Sequence, residues 1–247
     1  MVNVHIHQFS SGGVIADAEA LAVFQAQWSI YQKLVDTDVL DHKVVARLLH
    51  DILVEKFTRP FSFLEIACGD ASIARQALDG TRVSHYHGID MAQPAIDLAA
   101  IKLADAPYEV VLDHRDFVDA LARRPEPADA VWCGLSIHHL SHDDKAVLMR
   151  EIRNVVGKEG IFLLYEPVLL PDGDRKHFLK AYRVLVETEW TALTAQEVTD
   201  IWHHIETCDF PETSREWIEL GHAAGFSQAR QIFDGPGGLL GMFRYEP

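Results

Sequence analysis

Cysteine is scarce in this 247-residue chain: Cys68, Cys133 and Cys208 stand far apart, with no paired spacing. That excludes a disulfide framework and a cysteine-rich zinc site, and it fits a reducing compartment. Basic residues are also few, 22 Lys and Arg against 37 Asp and Glu, giving a formal net charge of −15. Nucleic acid is therefore not an expected partner, because phosphate backbones are held by clustered cations. No apolar run approaches the ~20 residues that a membrane-crossing helix needs. The opening stretch MVNVHIHQFSSGG lacks a basic start followed by an apolar segment and does not read as a signal peptide. Repeats and low-complexity segments are missing too. These absences point to a cytoplasmic protein with one sizeable core, and they leave its oligomeric state open.

Hydrophobic residues make up 48% of the chain, and their spacing divides it. Residues 17–57 read as helical: Leu21, Phe24, Trp28 and Tyr31 recur at helical steps, as do Val45, Leu48, Leu49 and Ile52. Arg59-Pro60 ends that pattern. Then FSFLEIA, HYHGIDM, EVVLDHRD, ADAVWCGLS and GIFLLYEP read as strands, most of them continuously apolar, separated by helical segments such as ASIARQAL and QPAIDLAAIKLA. The alternation predicts a mainly parallel sheet covered on both faces. After Pro167 it stops. Arg175–Trp190 reads as one helix, and capping boxes at Thr194–Glu197 and Thr213–Glu216 open two more. SQARQIFD and LLGMFRYEP, joined by Gly235-Pro-Gly-Gly238, predict a closing antiparallel hairpin. The expected organisation is a single α/β domain, doubly wound. It has an N-terminal helical lid (1–59), a cofactor-binding core (60–166), a helical insertion (167–222) and a terminal hairpin (223–247).

Two features carry chemistry by position. Leu64-Glu-Ile-Ala-Cys-Gly-Asp runs from a buried strand through a glycine turn into a helix, the usual ligand-binding place in such sheets. About twenty residues on, Asp90 ends the next strand, where a carboxylate can accept hydrogen bonds from both ribose hydroxyls. Together they indicate an adenosine-containing ligand. The loop lacks the second glycine of G-x-G-x-x-G, which a pyrophosphate requires, and this argues against a nicotinamide dinucleotide.

With LDHRDF, GLSIHHL and NVVGKEGIFLLYEP, these stretches resemble the successive motifs of class I S-adenosylmethionine-dependent methyltransferases, over about residues 60–166 and again from Gly221 onward. The resemblance implies a seven-stranded sheet in the order 3-2-1-4-5-7-6 and S-adenosylmethionine as cofactor. By that likeness Glu65 holds the methionine amino end, and Ala67-Cys68-Gly69 passes under the methionine. Asp90 binds the ribose, Met91 packs on the adenine, and Asp116 with Phe117 borders its amino edge. Leu135 closes the site, and Tyr31 meets the methionine carboxylate. The chain departs from the family in having alanine at 67 and 71, where glycine is common. A methyl group there is harmless at negative φ and strained otherwise.

Ser136-Ile-His138-His139-Leu-Ser-His142-Asp143-Asp144 follows the fourth strand, beside the expected sulfonium. Histidine suits proton removal near neutral pH, and His139 best matches the catalytic histidine of small-molecule O-methyltransferases. His138 is the second catalytic candidate of the pair or else its structural or pocket-lining neighbour, with His142, Asp143 and Asp144 opening the next helix. Glu166, at the end of the fifth strand, is placed either to orient an acceptor or to cap a helix. The pairs His5/His7 and His203-His204 read as surface or pocket-lining residues, since adjacent helical side chains diverge by about 100°, and no metal is expected. Trp28, Tyr31, Phe178, Tyr182, Trp190 and Trp202 would suit an apolar acceptor pocket or simply pack helices. The expected activity is methyl transfer to O, N or C of a small metabolite. A different use of the same cofactor, or a non-catalytic binding module, are the alternatives.

Overall fold

The computed structural model describes residues 4–7, 30–123, 126–171 and 173–247. The N-terminal reading before residue 30, Trp28 included, lies outside the described residues apart from one short strand. That strand, β1 (Val4–His7), adds to the sheet edge, where a helical lid was expected. Residues 30–37 form α1, and α2 spans His42–Lys56 with Val45, Leu49 and Leu53 buried along one face.

Strands and helices then alternate as the apolar runs predict: β2 (Phe61–Ile66), α3 (Ser72–Ala77), β3 (Val83–Asp90), α4 (Gln93–Lys102), β4 (Glu109–His114), α5 (Phe117–Arg123), β5 (Ala128–Gly134), α6 (His142–Val155) and β6 (Val156–Leu169). The insertion supplies α7 (Arg175–Glu189), α8 (Ala195–Cys208), the two-residue β7 (Glu212–Thr213) and α9 (Ser214–Ala223) before β8 (Gln228–Asp234) and β9 (Leu240–Glu246). Both capping boxes are present: Thr194 accepts from the Glu197 N–H and Thr213 from the Glu216 N–H, with the glutamates reaching back.

The sheet runs β1-β4-β3-β2-β5-β6-β9-β8, with β7 beside β6. Without β1 and β7 this is the expected 3-2-1-4-5-7-6 order. Only β9 runs against its neighbours among the described strands of the main sheet. The hairpin turn uses Gly237 and Gly238 at φ 62° and 70°, a conformation glycine adopts without a Cβ clash.

Neighbouring residues on a central strand serve opposite layers, which is why the runs are continuously apolar. Phe63, Trp132 and Tyr165 pack with α2, α3, α4 and α7, whereas Leu64, Val131 and Leu164 pack with α6 and α9. The insertion is fastened to the core by Lys145. Its ammonium is fully buried, donating to the Phe210 carbonyl and to Glu212 Oε1 at 2.9 Å. Arg175 at the start of α7 bonds the carbonyls of Glu206 (2.6 Å) and Asp209 (2.7 Å). The turn after β5 and the end of β6 thus meet the helical insertion: the Phe210 N–H donates to His138 O at 2.9 Å, and β7 pairs with Val168 and Leu169.

Candidate active site

The turn leaving β2 stores backbone strain. Ala67 (φ 52°), Gly69 (54°) and Ala71 (59°) all lie in the left-handed region, and so does Leu135 (54°) after β5. An L-residue pays about 1–2 kcal/mol for that conformation. The alanines therefore sit where glycine would be unstrained, and the surrounding hydrogen bonds hold them there. Cys68 N–H donates to Ile89 O (2.9 Å), Ala71 N–H to Cys68 O (2.8 Å) and Gly69 N–H to Asp90 Oδ2 (2.9 Å). Ala67→Gly is expected to stabilise the protein by about 1 kcal/mol. Urea unfolding would read this as a higher midpoint, and an unchanged midpoint would show that the loop carries no strain at 67.

Asp90 closes the same turn from β3. Its oxygens accept one backbone N–H each, from Gly69 and from Ala92 (2.8 Å). A carboxylate offers about four acceptor sites, so a lone pair on each oxygen remains for ligand hydroxyls. Burial raises this carboxyl above the ordinary range, against the pull of those N–H groups.

Glu65, at the end of β2, is 4% exposed. Tyr86 donates its hydroxyl to it, and Trp132 also hydrogen-bonds it. A Cβ at Gly88 would come within 2.8 Å of the Tyr86 hydroxyl, so the missing side chain leaves that tyrosine its path. Burial pushes Glu65 up to about 8 despite these donors. An acid held this way is ready for a cationic partner.

These residues line one cavity of about 320 Å³, within the roughly 300–1,000 Å³ of small-molecule sites. Of the expected residues, Tyr31, Glu65, Ala67, Cys68, Gly69, Asp90, Leu135 and His139 border it. Met91, Asp116 and Phe117 do not. Met91 is 68% exposed at the end of β3, Asp116 receives the Val118 N–H (2.8 Å) at the start of α5, and Phe117 packs toward the α6 layer. Asp70, missed in the motif, is at its rim, held by Ser72 and by Lys102 Nζ at 2.8 Å.

A second cavity, about 170 Å³, adjoins the first through three shared residues, Tyr31, Leu135 and His139. Its walls are apolar: Leu34, Leu40 and Ile201, with the rings of Tyr182 and Trp190. Phe178 stands behind, stacked on Tyr182, and Trp202 faces outward under the Arg183 guanidinium.

The polar side of that cavity is a histidine cluster. His138 and His139 form a single turn, Ile137–His139, whose N–H groups point into Glu166. That fully buried carboxylate accepts from the backbone of Ser136 (3.1 Å), Ile137 (2.7 Å) and His138 (3.3 Å), and from His138 Nδ1 (2.5 Å). Glu166 therefore caps the turn and borders neither cavity, which answers against an acceptor-orienting role. His139 is exposed to both cavities, with Asp209 Oδ1 3.4 Å from its Nδ1. Burial draws its pKa down, but Asp209 and the Cys208 carbonyl outweigh that and leave it raised. His204 packs edge-on against the His139 ring, centroids 5.1 Å apart, its pKa lowered by burial and by His139. Asp209 and His204 were not singled out from sequence as site residues; they lie some seventy residues from the histidine turn, and only the fold brings them together.

Residues 64–162, from β2 into β6, match the family described as a methyltransferase domain. An O-methyltransferase family protein from Burkholderia thailandensis is structurally similar at TM-score 0.64 and 13% identity, over 93% of this chain and 60% of that one. The cyclopropane synthase MmaA2 from Mycobacterium tuberculosis is similar at TM-score 0.55 and 18% identity, over 76% and 62%. PigF, solved with S-adenosylhomocysteine, is similar at TM-score 0.52 and 17% identity, over 75% and 50%. This chain thus spans between half and about three-fifths of the length of these structures. No curated protein matches it.

Proposed function

We propose that this chain, which carries a methyltransferase domain on the class I α/β fold, moves a methyl group from S-adenosylmethionine to a hydroxyl of a small, largely apolar metabolite. The observation that carries the reading is the junction of two cavities at His139, one lined by the turn, Glu65 and Asp90, the other apolar.

The first cavity fits the cofactor by its donor set. Asp90 offers free lone pairs for two ribose hydroxyls, and Glu65 offers a buried acid for the methionine ammonium. S-adenosylmethionine, when bound, supplies an electrophilic methyl on a sulfonium. The chain's part is to position the acceptor and exclude water around it. Tyr182, Trp190 and the leucines hold the apolar body. The hydroxyl faces His139, and the histidine–Asp209 cluster takes up its proton as the oxygen gains the methyl. Asp209 raises the basicity of His139, whereas burial and His139 lower that of His204. The partner implied is therefore a small molecule.

Ionised Glu65 favours a bound cation, so cofactor binding releases a proton wherever the free protein keeps this acid protonated. Affinity for S-adenosylmethionine should fall as the pH drops below about 8, by up to tenfold per unit. Adenosine, which lacks the ammonium, should bind equally on both sides of that pH. Calorimetry at two pH values tests it, and a flat profile for S-adenosylmethionine would remove Glu65 from the site. The activity itself is tested by release of S-adenosylhomocysteine across a panel of phenols and alcohols, with no turnover on any hydroxyl compound counting against the proposal.

A further inference from the structure

We propose that His138, His139 and Asp209 form a binding site for a divalent first-row metal ion, zinc foremost, at the polar wall of the second cavity. Four observations carry it.

The first is distance. Ligands at about 2.0–2.1 Å from a tetrahedral ion stand about 3.4 Å from one another. Asp209 Oδ1 is 3.6 Å from His138 Nε2 and 3.4 Å from His139 Nδ1. One donor atom from each of the three residues falls within 4.8 Å of the others. These separations are long for hydrogen bonds and right for ligands around a common centre.

The second is the orientation of His138. A carboxylate such as Glu166 can only accept, so the 2.5 Å contact makes Nδ1 the protonated nitrogen. The lone pair is then on Nε2, which looks toward Asp209. A carboxylate–imidazole pair with the free nitrogen aimed inward is the arrangement that fixes metal-ligating histidines elsewhere. Without an ion, two acceptors face each other.

The third is Asp209 itself. It is 4% exposed, and its Oδ1 accepts no hydrogen bond among the described residues. A buried carboxylate oxygen without a hydrogen-bond donor is costly, and a cation removes that cost. His139 Nδ1, which now lies 3.2 Å from the Cys208 carbonyl, would turn from it to the ion.

The last is the openness of the set. Two imidazoles and one carboxylate leave a coordination position toward the cavity, as in zinc sites that bind a substrate or water. His204 Nε2, 3.9 Å from the same Asp209 oxygen, flanks that position. Proton and ion compete for the same lone pairs. With the ion bound, the acceptor's hydroxyl oxygen takes the open position and its proton leaves to solvent water. This role rests on the methyl-transfer reading of the cavity, whereas the binding of the ion does not.

The test needs neither cofactor nor acceptor. Untagged protein is stripped with a chelator, dialysed against Zn²⁺ and analysed for bound metal, with Co²⁺ as a visible-spectrum probe of coordination. Wild type and His203→Ala, the exposed neighbour on α8, are expected to retain a single ion per chain. Asp209→Asn, close in shape and checked for folding by circular dichroism, is expected to retain none, and to lose the Co²⁺ bands. A wild-type protein that retains no ion, or an Asp209→Asn variant that retains it, would overturn the proposal. Release of S-adenosylhomocysteine is scored separately, so methyl transfer without metal refutes only the role assigned to the ion.

Discussion

Replacing His139 with alanine is expected to lower kcat about 10²–10⁴-fold, the usual worth of a positioned proton acceptor. Cofactor affinity should stay nearly intact, because Glu65 and Asp90, the holds proposed for the two ends of the cofactor, do not depend on this ring. The imidazole is reached from both cavities, and its removal opens the wall between them without touching the sheet. His138 is a different matter. It is 5% exposed and tied to Glu166, so its loss should cost stability as well as rate. The measurements are single-turnover transfer with a true acceptor and calorimetry of cofactor binding. If His139→Ala turns over at the wild-type rate, the histidine cluster is scaffolding and proximity alone drives the reaction.

Asp90→Ala should weaken cofactor binding by about 2–3 kcal/mol, the loss of charge-assisted hydrogen bonds to two hydroxyls. That is roughly 30- to 150-fold in Kd. The structure adds a consequence beyond binding. Asp90 also accepts the N–H groups of Gly69 and Ala92, so the strained turn loses one of its holds. The melting temperature of the free protein should fall too. A variant that binds S-adenosylmethionine like wild type would mean that Asp90 serves only the turn.

The sheet was legible in the residues because each central strand is buried on both faces and so cannot be mistaken for an amphipathic helix. Strand β1 was not, since four residues of VHIH carry no run long enough to mark an edge strand. The grouping of Glu65, Gly69 and Asp90 around one cavity could be read because its parts are local: a glycine, an acid before it and an acid at the next strand end. Met91, Asp116 and Phe117, whose roles came by resemblance alone, stand after β3 and β4 outside the first cavity's lining. Asp116 accepts the Val118 N–H on the first turn of α5, a use that any aspartate at a helix start can adopt. Alanine at 67 and 71 posed a question that only backbone angles could answer, and the answer was positive φ at both. The histidine–Asp209 cluster lay beyond sequence reasoning for a geometric reason. Helical neighbours such as His203 and His204 diverge, and the partners of His204 come from the β5–α6 turn, far away in sequence.

The buried Lys145 that fastens the insertion has an evolutionary consequence. It binds the far end of that segment, at Phe210 and Glu212, while Arg175 ties the near end to that same far end. Between those two rivets, α7 and α8 supply most of the second cavity's aromatic wall and none of the first cavity's lining. The stretch can therefore drift, or be exchanged as a cassette, without disturbing the cavity proposed to hold the cosubstrate. Divergence in this lineage should show as new acceptor tastes on an unaltered cofactor grip.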